Sequence, residues 1–374
     1  MRKIENSPLF NKVYMDKNSS ATTGSFNMKA AVLHASQDIR YEECPTPELR
    51  PGCVKIHVRA CGICGSDIPR VLGDAAHFFP IVLGHEFSGE VVEIADDVKN
   101  VAVGDRVACA PLVPCFDCPD CALGNFSLCK HYTFIGSRVF GGMAEYVVIP
   151  ARNAVKFSAD RSFEEAALLE PATVGCHGVL CNDFKGGDTT AVVGAGTIGL
   201  FTAQWAALLG ASKVVFFDVD DDRLQLAKDI TGFDGVNTRN IAPVEAAKQL
   251  TGRGFDYVFG ASGACPSYIN CFELAANHAH VCFVGTPTGP VTFTAAQWEM
   301  INRRELRVTG SWMSFSAPFP GREWTICAQY LDDGRLKCDR RMIHKIFPLS
   351  QCKEAFDCYK NPAAVKGRIM LVNP

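Results

Sequence analysis

The sequence predicts an α/β fold in two parts, and three features carry that prediction. From about Asp188 onward, short apolar strands ("TTAVVG", "KVVFFD", "FDYVFG", "HVCFVG") alternate with helical stretches such as "IGLFTAQWAALL". That alternation is the signature of a parallel, doubly wound sheet. Residues 28–165 instead read mainly as β, with Val54, Ile56 and Val58 of "VKIHVRAC" alternating with polar neighbours as in a half-buried strand. At 374 residues the chain is also too long for one ordinary core. The expected domains are a mainly-β unit over 28–171, a doubly wound unit over 172–309, and a segment, 310–374, returning to the first.

Composition narrows the function classes. A net charge of −3 gives no basic face for nucleic acid or an anionic membrane. No apolar run approaches the roughly 18 residues that span a bilayer. Residues 1–27 are polar, lack the apolar core of a signal peptide, and read as a disordered extension ahead of the strand "MKAAVLH". These features point to a cytoplasmic protein. In a reducing compartment, eighteen cysteines are not a disulfide framework. The clustered ones read as metal ligands, and scattered ones such as Cys181, Cys271, Cys282 and Cys358 as small buried apolar residues.

Local signals fix several elements. Ser162 with Glu165 three residues on is a capping box that opens a helix. "VVGAGTIG" sets Gly194, Gly196 and Gly199 between a strand and a helix. The first glycine permits a tight turn, the second lets backbone approach a pyrophosphate, and the third lets helix and sheet pack closely. Thr197 and Ile198 then begin the helix whose free N–H groups and dipole favour phosphate. The next strand ends at Asp218, placed for a ribose 2′-OH and against a 2′-phosphate, so NAD is expected over NADP; Arg223 five residues on weakens that preference.

Two metal constellations follow. In "PCFDCPDCALGNFSLC", Cys115, Cys118, Cys121 and Cys129 stand at C-x2-C-x2-C-x7-C spacing. Four thiolates complete a tetrahedral zinc shell and leave no open position, which is the chemistry of a structural site. The alternatives are free thiols and a zinc-ribbon interaction module, the latter disfavoured by Asp117 and Asp120 within the run. The second set comprises Cys64 and Asp67 in "CGICGSD" and His85 and Glu86 in "LGHEFSG". Taken singly, Cys64 reads as a core thiol and His85 as a structural histidine. Together, upstream of a nucleotide motif, thiolate, imidazole and carboxylate suit a catalytic zinc.

These motifs, with "GGMAEYVVIP", occur in the order seen in zinc-dependent medium-chain dehydrogenases, and the resemblance runs over residues 28–374. It implies a GroES-like mainly-β catalytic domain joined to a doubly wound Rossmann NAD-binding domain. It also implies two zinc ions per subunit, with Cys64 and His85 as ligands of the catalytic one. Glu170, in "LLEPATVG", stands where polyol-type members carry a glutamate, so Glu86 and Glu170 complete the shell or exchange with water. Asp67 would orient His85. The four-cysteine run would form a structural lobe, and "RRELRVTGSWM" the last strand of the nucleotide sheet, the edge implied in a homodimer or homotetramer.

"SDIPRVLGDAAHFFPIVLGHEFSG", "FIGSR" and "GSWMSFSAPFPGREW" are most similar to sugar-alcohol-phosphate members. The implied activity is NAD-linked oxidation of a secondary hydroxyl of a polyol phosphate such as galactitol 1-phosphate. Other polyols or polyol phosphates, including sorbitol, xylitol and arabitol phosphate, would keep the same motifs. Two departures qualify the likeness. Pro69 stands where liver-type enzymes have a relay histidine, so any relay would use Ser66, a glutamate or water, with Ser66 the candidate first proton acceptor and a turn cap its structural alternative. Met313 stands where sorbitol-type members carry an arginine. Arg70, His77 and Arg138 are candidates for the substrate phosphate, each equally readable as a surface charge.

Overall fold

The computed structural model describes residues 27–374, so the extension expected at residues 1–27 lies outside them except for Asn27, which opens the strand Asn27–Ala35. The chain divides into two compact units. One runs to Glu170 and takes in Phe315–Asp332 and Ile343–Pro374; the other comprises Pro171–Ser314 and Asp333–Met342. The C-terminal segment therefore does not return to the first unit in one piece at residue 310, as the sequence suggested. Its excursion over 333–342 is pinned inside the second unit by side chains. Gln204 accepts the N–H of Lys337 at 2.9 Å and donates to its carbonyl at 3.2 Å, while Arg341 donates to the Asp229 carbonyl at 3.0 Å.

The first unit is organised around the strand Cys53–Gly62. It pairs antiparallel with Glu86–Ile94 on one side, and on the other with Tyr146–Pro150 and then Arg368–Val372. The expected alternation holds, because Val54, Ile56, Val58 and Ala60 are buried while Lys55, His57 and Arg59 are only partly so. Each fully buried Val or Ile stabilises by roughly 1.5–3 kcal/mol relative to exposure. The register places Gly62 opposite Glu86. A Cβ at Gly62 would stand 2.6 Å from Glu86 Oε2, so glycine leaves that carboxylate its place. Ser162 forms both bonds of its capping box at the head of the helix Phe163–Ala167.

The second unit carries a six-stranded parallel sheet. Its spatial order is Asp234–Asn237, Lys213–Asp218, Thr189–Val193, Phe255–Gly260, Ala275–Phe283, Arg307–Gly310. In sequence numbering of these strands that order is 3-2-1-4-5-6, the doubly wound order of dinucleotide-binding sheets. Val192, Phe216, Phe217 and Phe259 are buried, as expected of strands covered on both faces. Asp234–Asn237 and Arg307–Gly310 are its two edge strands. The uniform reading of the scattered cysteines is corrected here: Cys271 and Cys282 are buried, Cys358 is intermediate and Cys181 is exposed.

Candidate active site and cofactor cradle

Two groups of metal-ligating side chains occur among the described residues: Cys115, Cys118, Cys121 and Cys129, and Cys64 with His85 and Glu86. In the first, Sγ atoms are 3.5 Å apart for Cys115–Cys129 and 3.9 Å for both Cys115–Cys121 and Cys118–Cys129. A tetrahedron with Zn–S arms of about 2.3 Å has edges of about 3.8 Å, and a disulfide would need about 2.05 Å. The four sulfurs are thus spaced for an ion at their centre. Backbone N–H groups support them: Cys115 donates to Cys129 Sγ and Cys118 to Cys115 Sγ, each at 3.3 Å. The short helix Pro119–Ala122 and the turn Phe126–Leu128 set the spacing.

The second group lies where strand ends meet. Cys64 follows Cys53–Gly62, and the next turn closes with the Asp67 N–H donating to the Cys64 carbonyl at 3.0 Å. Ser66 N–H reaches Cys64 Sγ at 3.5 Å, and Asp67 Oδ2 accepts from Cys64 N–H at 3.3 Å. His85 and Glu86 sit at the head of the paired strand. Asp67, fully buried, stands 3.6 Å from His85 Nδ1, which leaves Nε2 as the nitrogen to bind a metal.

Whether this set suits zinc can be judged from its own chemistry. His85 Nδ1 and both Glu86 carboxylate oxygens are buried without a hydrogen bond. Burial first, then the Glu86 charge, pushes the Cys64 thiol far above its ordinary range. Glu170, at the start of the helix Leu169–Leu180, stands outside the tight group of three but feels it. Burial raises its pKa to about 7, with His85 acting against and Glu86 adding to the rise. Buried acidic groups that face one another in this way call for a cation. Cys, His and carboxylate donors are what zinc takes in catalytic sites.

The sequence reading did not single out Arg368. It heads the C-terminal strand Arg368–Val372, and its Nε lies 2.9 Å from Glu86 Oε2. The two atoms meet off the hydrogen-bond direction, so the contact is one of charge. Its Nη1 donates to the Ile63 carbonyl at 3.3 Å. Burial works downward on its pKa, but Glu86 and Cys64 outweigh that and hold it above the ordinary arginine value. The available signal was one arginine opening the otherwise apolar run "RIMLV".

Around the rim, Arg70 Nη1 donates to Ser66 O at 2.7 Å and Ser66 Oγ at 2.8 Å, and meets Asp67 Oδ1 at 3.2 Å. Arg138 donates to Tyr132 Oη at 3.1 Å and stacks 4.3 Å over its ring. His77 is held below the usual histidine pKa first by partial burial and then by the charges of Arg138 and Arg70. The three phosphate candidates therefore share one neighbourhood.

In the second unit the glycine motif has the conformation its chemistry requires. Gly194 has φ +106°, and a Cβ at Gly199 would lie 1.8 Å from the Gly194 carbonyl oxygen. Nothing stands within 4 Å of a Cβ at Gly196, so the backbone there is open to an approaching pyrophosphate. The helix Thr197–Leu208 begins without a side-chain cap, leaving its first N–H groups for phosphate. Asp218 Oδ2 accepts from Ala195 N–H at 2.7 Å, and Oδ1 from Val219 and Asp220 N–H at 2.7 and 3.1 Å. The carboxylate is thus fixed beside the glycine turn. Arg223, in the first turn of Asp221–Thr231, donates its N–H to Asp220 Oδ1 at 3.1 Å.

Comparison with known proteins agrees with this architecture. Residues 50–159 match the alcohol dehydrogenase GroES-like domain, and residues 197–326 match the zinc-binding dehydrogenase domain. Galactitol 1-phosphate 5-dehydrogenase of Escherichia coli K12 is 35% identical over 347 residues, 92% of this chain and all of that protein. The crystal structure of galactitol-1-phosphate dehydrogenase from Escherichia coli superposes with a TM-score of 0.88 at 34% identity, over 92% of this chain and 100% of that one. Sorbitol dehydrogenase 2 of Saccharomyces cerevisiae is 38% identical over 248 residues, 63% of this chain and 70% of its own. A zinc-binding dehydrogenase of Sinorhizobium meliloti 1021, bound to NADP, has a TM-score of 0.84 at 30% identity, over 93% of this chain and 100% of its own.

Proposed function

The chain belongs to the zinc-binding alcohol dehydrogenase family, nicotinamide-dependent oxidoreductases of CH–OH groups, and from that premise we propose that it oxidises a secondary hydroxyl of a polyol phosphate with NAD. The favoured substrate is galactitol 1-phosphate, giving D-tagatose 6-phosphate. The observation that carries the phosphate is the grouping of Arg70, His77 and Arg138 on the unit that holds Cys64 and His85. A guanidinium pair with an adjacent imidazole suits a dianion, whereas a neutral polyol gives it nothing to pair with.

In this reading Cys64 and His85 hold the catalytic zinc, and Glu86 and Glu170 complete the shell or give way to water. Zinc supplies Lewis-acid polarisation of the substrate hydroxyl, and NAD supplies the hydride acceptor. Asp67 fixes the His85 ring through Nδ1. Arg368 holds the Glu86 carboxylate in place. Ser66 Oγ takes the first proton; because Arg70 donates to that oxygen, its own O–H remains available to pass a proton outward. Asp218, held by three backbone N–H groups, accepts from the ribose 2′-OH, which favours NAD. The four-cysteine lobe takes no part in the chemistry. Assembly as a homodimer or homotetramer through the Arg307–Gly310 edge is part of the same proposal.

The test is initial-rate NADH formation on galactitol 1-phosphate, galactitol, sorbitol, xylitol and arabitol phosphate. Preference for galactitol 1-phosphate supports the reading, and equal rates on galactitol count against a phosphate site. Arg138→Gln should impair the phosphorylated substrate far more than galactitol. Equal losses on both would remove Arg138 from that role.

A further inference from the structure

The short strand Thr133–Phe134 pairs with Leu112–Val113 and runs into the loop that carries Arg138. Burial alternates along it: Thr133 and Ile135 are buried, while Tyr132 and Phe134 are only partly so. In an extended chain that alternation puts Tyr132 and Phe134 on one face. On that face the Phe134 ring meets His85 edge-on, with ring centroids 5.5 Å apart. Phe134 also holds the loop, since its carbonyl accepts the Ser137 and Arg138 N–H groups at 3.2 and 2.9 Å. The far side of the loop is bound to the segment leading into His85. Gly141 N–H donates to the Val82 carbonyl at 2.9 Å and Gly142 N–H to the Gly84 carbonyl at 2.8 Å. Gly136, at φ +82°, permits that approach, because a Cβ there would stand 2.1 Å from the Gly84 carbonyl oxygen. Arg138 is thus mounted on backbone fixed beside His85.

Tyr132 then fixes the side chain. The Arg138 guanidinium lies 4.3 Å over its ring, and Tyr132 Oη accepts from Arg138 Nη2 at 3.1 Å. A stack alone leaves a guanidinium free to turn in its own plane, and the hydrogen bond at its rim sets that rotation. We propose that Tyr132 is a specificity-determining residue for the substrate's phosphate: it aims Arg138, and the two side chains act as a pair on the phosphate monoester. The inference rests on the reading of the substrate as a polyol phosphate and adds the residue that makes Arg138 directional.

The chemistry of the pair suits a phosphate dianion. A guanidinium presents its donors as a planar fork, and with one of them on Tyr132 Oη the others remain for phosphate oxygens. A phenol oxygen that accepts from the arginine turns its own proton away from it. That O–H, polarised by the neighbouring charge, is a second donor toward the same anion. A freely moving arginine would lose its rotamer freedom on meeting phosphate. Held on Tyr132, it has lost that freedom on folding, so the cost does not weaken binding. A neutral polyol draws on none of this, and the benefit falls on substrate binding rather than on the chemical step.

The test uses the full zinc-loaded chain with galactitol 1-phosphate and galactitol as substrates. Tyr132→Phe keeps the ring and removes the hydroxyl. It should raise the KM for galactitol 1-phosphate about tenfold with kcat changed by less than about threefold, and cut the preference over galactitol by about the same tenfold. Combined with Arg138→Gln, it should add less than about threefold to the loss of Arg138→Gln alone, because the two residues act together. Arg138→Lys keeps the charge and leaves Tyr132 intact, so it can be read even if Tyr132→Phe misfolds. It should raise the same KM at least about fivefold, since an ammonium presents no fork. Losses that multiply fully in the double variant, a Tyr132→Phe loss shared equally by galactitol, or a parental KM in Arg138→Lys would overturn the inference while the phosphate reading stands. A parent enzyme without preference for galactitol 1-phosphate would overturn that reading, and the inference with it.

Discussion

Arg368 Nε lies 2.9 Å from Glu86 Oε2, with the arginine side chain 10% and the glutamate 1% exposed. A buried charge pair contributes little net stability, but removing one partner strands the other in a low-dielectric site. Arg368→Leu should therefore cost about 3–5 kcal/mol in unfolding free energy and weaken zinc retention at the Cys64 set. Glu86→Gln in the same chain should restore part of the stability. If Arg368→Leu unfolds at the parent's denaturant midpoint, Glu86 does not depend on this partner.

The cysteine lobe should behave as scaffold. Cys118→Ser is expected to lower bound zinc from about two ions to about one per chain and to lower the melting temperature by several degrees. Turnover per folded molecule should stay within a few-fold of the parent. Native stability and native zinc content together would show that the four sulfurs, at spacings of 3.5–3.9 Å, do not hold an ion.

Asp218→Ser removes the carboxylate fixed against Ala195 N–H. The Michaelis constant for NAD should rise at least about tenfold, equivalent to about 1.4 kcal/mol, while that for NADP falls. Steady-state kinetics with both cofactors read the change. Unaltered NAD kinetics would remove Asp218 from the ribose site.

Acid stability should report on Asp256. Its Oδ2 accepts from Thr189 N–H at 3.0 Å and from Thr189 Oγ1 at 2.8 Å, tying two central strands of the second unit together. Burial works upward on its pKa, but the Thr189 bonds and Arg253 outweigh it, and the net shift is downward from 3.8. A folded pKa below the unfolded one means that the contribution is complete above the unfolded value. It is lost as pH falls from there through the folded pKa. Asp256→Asn should cost about 1–2 kcal/mol at neutral pH, and the gap to the parent should close as pH drops below about 4. A gap that persists in acid would assign the cost to packing instead.

Much of this was legible in the sequence because the signals are local. The capping box at Ser162, the glycine turn at Gly194 and the four clustered thiols each carry their geometry within a short span. Period-2 burial of Val54, Ile56 and Val58 is equally local. Arg368 escaped because its partner, Glu86, is brought to it only by pairing of Arg368–Val372 with Cys53–Gly62. The excursion over 333–342 escaped for the same reason, since Gln204 and Lys337 are neighbours only in the folded unit. Cys181 was misplaced because burial of a lone cysteine depends on what covers the helix end, and no nearby residue in the sequence announces it.

The proposed seat of the reaction is Cys64, His85, Glu86 and Glu170, and not the louder four-cysteine cluster. NADH formation from galactitol 1-phosphate by Cys64→Ser, measured beside the parent with folding and NADH binding verified, tests it most directly. A loss of at least about a thousandfold is expected, equivalent to about 4 kcal/mol of transition-state stabilisation. Turnover within tenfold of the parent would contradict it.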